Sequence, residues 1–125
     1  MMGDGRRLRL YADEIAEKAQ RRWRSRCPCC GSPMSTPRGL RRRRGALQRN
    51  DRTVGHDFPV ARGGDERRWV YICWGCNNDQ GSLDFMSWSR VLRTDGDRRA
   101  DAVEALAIFI EETVNELLAL STAAE

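Results

Sequence analysis

Lysine and histidine are almost absent from this 125-residue chain, each occurring once, as Lys18 and His56, and proline occurs four times. Long apolar runs are missing too. No stretch approaches the roughly 18 uninterrupted apolar residues of a membrane span, which excludes a membrane-crossing helix. The first residues, MMGDGRRLRLYADE, lack the apolar core of a secretion signal, so a soluble, cytoplasmic protein is expected. At this length there is room for one domain, and such a chain buries only about two-thirds of its unfolded surface. A metal staple would supply what the core lacks.

Charge is plentiful but uneven. The net charge is +4; through Arg68 there are 18 basic and 8 acidic residues, and from Trp69 onward 4 and 10. The basic portion is the one suited to face a polyanion. With 22 basic residues and a single lysine, the positive charge is nearly all guanidinium. The planar fork suits phosphate, although a GC-rich coding sequence gives the same bias. Its densest part is Arg41-Arg42-Arg43-Arg44, with Arg38, Arg49 and Arg52 nearby. This run reads as a mobile loop whose phosphate contacts would be strongly salt-dependent and blind to base sequence.

No internal repeat is present. Tyr11, Ile15, Ala19 and Trp23 recur four apart, which predicts a helix over about 10–24. CPCCGSPMSTPRG then reads as a turn-rich loop. Thr53–Phe58 and Trp69–Ile72 are β-prone, with the turn signal Gly63-Gly64 between them. Cys76–Gly81 reads as a short helix capped by Gly81, and Ser82 as the cap of a second helix burying Phe85, Trp88 and Leu92. From Asp97 a long helix carries Val103, Leu106, Ala107, Ile110, Val114, Leu117 and Leu118 on one apolar stripe. That stripe is expected to pack on its own domain, the alternative being a homodimer or a protein partner. The class is α+β: strand, strand and helix in a core over about 26–81, an N-terminal helix, and a helical extension over about 83–120.

Five cysteines is an odd count, and their CxxC grouping favours metal thiolates over disulfides. Structural zinc takes four tetrahedral ligands, and a CxxC turn presents two thiolates to one ion. Cys27, Cys30, Cys73 and Cys76 supply two such turns. Cys29 is an alternative ligand in the first turn; Cys30 is preferred because two residues then intervene. The ion's role is folding, since its binding free energy is folding free energy.

Between the CxxC turns lies Gly55-His56-Asp57-Phe58-Pro59-Val60-Ala61-Arg62-Gly63-Gly64. The order CPxCG, HxxP, RGG, CxxCN and a glycine four residues after the asparagine resembles the HNH endonuclease family. The resemblance covers about residues 26–81. It implies a ββα-metal finger and metal-dependent cleavage or nicking of DNA, with His56 as the general base that takes a proton from water. Imidazole is the side chain suited to that task near neutral pH. Asn77 matches a metal ligand of the family, and the catalytic cation would be magnesium or manganese. Arg41–Arg44 and Arg62 would contact DNA.

Three positions depart from the family pattern. Gly55 stands where an Asp or His ligand is usual, and Asp57 is the nearest carboxylate to replace it, with Asp51, Asp79 and Asp84 as rivals. Arg68 stands where the family has an asparagine, and Gln80 where a basic residue is often found. Two alternatives to an active nuclease are a zinc-stabilised DNA-binding module without catalysis and an accessory subunit of a larger, phage-packaging-like complex. By resemblance alone the chain is of the compact kind that phages and mobile elements encode.

Overall fold

A computed structural model describes residues 14–36, 47–57 and 68–123. The arginine run, Arg62 and the Gly63-Gly64 turn lie outside the described residues. Helix α1 occupies 14–23 and buries Ile15, Ala16 and Ala19. A knuckle turn follows, in which Cys27 N donates to Ser32 O and Gly31 N to Cys27 O. Gly31, at φ 77°, adopts the left-handed backbone that this turn requires.

Strands β1 (Arg52–His56) and β2 (Trp69–Cys73) form a two-stranded antiparallel sheet with Arg52 opposite Cys73 and His56 opposite Trp69. Both end within two residues of the sequence expectation. β2 runs directly into α2 (Trp74–Gln80). The first amides of a helix have no partner within it, and here neighbouring chain supplies them: Trp74 N donates to Asp51 O, Gly75 N to Arg49 O, and Cys76 N to Cys73 Sγ. Arg49 lies so close over the helix that a Cβ at Gly75 would stand 2.6 Å from its Cγ. Gly81, at φ 58°, ends α2 as expected.

Helix α3 (Phe85–Thr94) buries Phe85, Trp88, Ser89 and Leu92. Its N-cap is Asp84 and not Ser82: the Asp84 carboxylate accepts from Ser87 N at 2.6 Å. Aspartate is a strong cap, and this one stands directly before the apolar face. The helix closes in a Schellman arrangement, with Gly96 N on Arg93 O and Asp97 N on Leu92 O while Gly96 sits at φ 70°.

Helix α4 (Ala100–Ala123) begins three residues later than Asp97, whose side chain instead accepts from Arg99 N in the turn before it. Val103, Leu106, Ala107, Ile110 and Leu117 are buried as the stripe predicts, but Thr113 is buried too and Leu118 is 46% exposed. The stripe drifts round the helix because 3.6 residues per turn do not keep 103 and 118 in line. It packs on its own chain: the buried side chains of α1, the knuckle, β2, α2, α3 and α4 form one cluster. Phe109 also meets Trp23 of α1 edge to face at 4.9 Å. No described helix is long and apolar enough to cross a membrane.

Candidate metal centre and the hairpin beside it

The Sγ atoms of Cys27, Cys30, Cys73 and Cys76 all lie within 4.8 Å of one another. A tetrahedral zinc shell with Zn–S of about 2.3 Å has sulfur–sulfur edges of about 3.8 Å. Cys30 and Cys73 stand 3.8 Å apart. The four cysteines therefore fit a structural metal such as zinc. Cys29, the other candidate in the first turn, is buried but does not belong to this group.

Cys27 is held far below the ordinary thiol range by hydrogen bonds from Cys29, Cys73 and Cys76. The same bonding pushes Cys73 up to about 11, chiefly through Cys27, and pushes Cys76 and Cys29 up as well. A dication bound by these sulfurs displaces their protons, which makes metal affinity fall as pH falls.

The charge left on a tetrathiolate is met from several directions. Cys73 N donates to Cys27 Sγ and Cys76 N to Cys73 Sγ, each at 3.4 Å, and the second of these thiolates caps the positive end of α2. Arg99 places NH1 3.5 Å from Cys76 Sγ and 2.9 Å from Asp79 Oδ2, while NH2 meets Asp97 at 2.9 Å. Arg99 holds the Asp97 carboxyl down to about 2. One guanidinium therefore ties the start of α4 to the zinc-type site and to α2.

The hairpin has two unlike faces. Asp57 N donates to Arg68 O, so Thr53–Ile72, Gly55–Val70 and Asp57–Arg68 are the hydrogen-bonded pairs, and Val54–Tyr71 and His56–Trp69 are the closer, non-hydrogen-bonded ones. Val70 and Ile72 are fully buried, which makes theirs the inner face. Arg52, Val54, His56, Trp69 and Tyr71 share the outer face, where Val54 is 43% exposed.

Helix α2 grips β1 through two amides one turn apart. Asn77 Nδ2 donates to Thr53 Oγ1 and Val54 O, both at 3.0 Å. Gln80 Nε2 donates to His56 O at 2.9 Å and to Leu83 O at 2.8 Å. Because a carbonyl can only accept, these bonds fix which end of each amide is nitrogen. Oδ1 of Asn77 is thereby its ligand-capable atom. His56 and Asn77 are thus joined through one strand and one helix, with Gln80 holding the histidine's own carbonyl.

Asp57 is on the inner face with Gly55. Its side chain accepts from Phe85 N at 3.4 Å and lies 3.7 Å from Arg68, which also pairs with Glu111 at 2.8 Å. Burial raises its pKa above the usual carboxylate value, against the Phe85 amide and Arg68, which lower it. The other carboxylates considered as ligands are also engaged: Asp51 accepts from Gln48 N, Asp79 pairs with Arg99, and Asp84 caps α3. At Gly55 an added Cβ would come within 2.5 Å of Ile72 Cδ1. The isoleucine therefore fills the space where a side chain at 55 would go.

No family model, curated protein or solved structure matches the chain. Two residues of this site carry no sequence signal for the work they do. Gln80 stands at a departure from a basic position and Arg99 falls within the span expected to be helical, yet each joins several groups in a bond network.

Proposed function

We propose that this chain is a metal-dependent DNA endonuclease or nickase of the HNH type, with His56 as its general base. The observation that carries the reading is the linkage of His56, at the end of β1, to the helix that follows the second CxxC turn, through Gln80 and Asn77. His56 takes a proton from water, and the oxygen then attacks a backbone phosphorus as the bond to the leaving sugar oxygen breaks. Asn77 Oδ1 is the described atom that would hold a magnesium or manganese ion, whose chemistry there is to neutralise the phosphate and the leaving oxygen. Arg41–Arg44 and Arg62 supply the DNA-backbone contacts in this reading.

A second reading, a zinc-stabilised DNA-binding module that does not cut, is favoured by Ile72 filling the space beside Gly55 and by the engaged carboxylates. Nicking of supercoiled plasmid with magnesium, manganese or no added metal, run beside zinc-loaded His56→Ala, separates the two. Relaxed circles that need added metal and vanish in the variant support the nuclease. Binding without relaxed circles under any metal supports the module.

A further inference from the structure

The outer hairpin face carries more than the histidine. His56 and Trp69 are a non-hydrogen-bonded cross-strand pair, the arrangement in which facing Cβ atoms stand about 4.5–5.5 Å apart. Trp69 meets Tyr71 edge to face with ring centroids 5.1 Å apart, and the Arg52 guanidinium lies 4.3 Å from the centre of the Tyr71 ring. Imidazole, indole, phenol and guanidinium therefore run as one strip along the hairpin. Beyond Tyr71 a small cavity brings in Arg24 and Arg26 and no acidic residue. None of the cross-strand residues on this face is acidic either.

We infer that this strip is a stacking platform for unpaired bases, so that the DNA engaged at His56 is single-stranded or locally opened. The inference rests on the reading of this hairpin as a DNA-facing surface. Aromatic rings stack on any base, and neighbouring arginines follow the phosphates, which is how sequence-tolerant single-strand binders work. A duplex keeps its bases stacked on one another and offers the rings no free face. Trp69 is only half-buried, flanked by the proposed base on one side and by a second ring on the other, so it is the residue on which a base beside the reacting phosphate would rest.

Fluorescence anisotropy of labelled oligonucleotides tests this without any cleavage, in buffer free of magnesium and manganese. The probes are an oligo-dT strand, an abasic strand of equal length, and a duplex, with zinc content and circular dichroism confirming that each protein is folded. Wild type is expected to prefer oligo-dT to the abasic strand and the duplex. Trp69→Ala should weaken oligo-dT binding about 5- to 100-fold and leave the abasic strand unchanged, and Trp69→Phe should restore most of the loss. Equal wild-type affinity for oligo-dT and abasic strands overturns the inference, as does oligo-dT binding that Trp69→Ala leaves intact. Tighter binding of the duplex overturns it in favour of double-stranded substrate. The plasmid assay judges catalysis separately, and either experiment can fail while the other succeeds.

Discussion

Around the thiolates the chain is held by directed bonds, whereas the α3–α4 pair is held by apolar burial. The knuckle, hairpin and α2 contain two short strands and a seven-residue helix, too little to be stable alone. Four sulfurs, the amides on them, and Asn77 and Gln80 on β1 supply what packing does not. In α3 and α4, Phe85, Val103, Leu106 and Ile110 are fully buried, each contributing about 1.5–3 kcal/mol by leaving water. The site was built where geometry is fixed by bonds, and the helices serve as its backing.

The strongest way to break this contrast is to disable the four-cysteine cluster. Chelation, or Cys76→Ser, should release zinc and unfold the knuckle and hairpin, because such sites contribute on the order of 10 kcal/mol or more. Zinc content together with near-ultraviolet circular dichroism reads this, and a native spectrum in metal-free protein would show that burial alone suffices. Next in size, Leu106→Ala or Ile110→Ala should cost about 2–5 kcal/mol in urea unfolding of the zinc-loaded protein. Leu120→Ala, at a residue 66% exposed, should stay within about 0.5 kcal/mol.

Gln80→Ala leaves the carbonyls of His56 and Leu83 without this donor. Its expected cost is about 1–3 kcal/mol, read from the same urea transitions. A pH-dependent effect is expected at Asp57, whose folded-state pKa is raised chiefly by burial. The folded protein thus holds this proton more tightly than the unfolded chain, and the stabilisation is lost as pH rises through the raised value. Asp57→Asn should remove that dependence. Urea midpoints from pH 4 to 7 should show wild type losing ground to the variant as pH rises, and a constant difference would contradict the burial of this carboxyl.

Much of this layout was legible in the sequence because its signals are local. Two CxxC turns, a β-prone run ending at Ile72, Gly81 as a helix stop and the Phe85–Trp88–Leu92 spacing each report on a few neighbouring residues. What stayed hidden depends on which surface covers which. Strand parity correctly puts Gly55 and Asp57 on one side, but only the packed structure shows that side to be the inner one, occupied by Ile72, Arg68 and the start of α3. Gln80 is a polar residue in a short helix until β1 is laid beside it. Local sequence does not choose between Ser82 and Asp84 as the cap of α3; the position of the first turn does.

The thiolate cluster joins Cys30 to Cys73 across 43 positions. Closing a flexible loop costs entropy that grows only with the logarithm of its length, about 0.6 kcal/mol for each doubling. An ion that closes this loop therefore makes the folded unit nearly indifferent to how many residues lie between the two turns. Residues added between the first CxxC turn and β1, or between the two strands, would weaken the fold little, while the clasp and the paired strands stay the same.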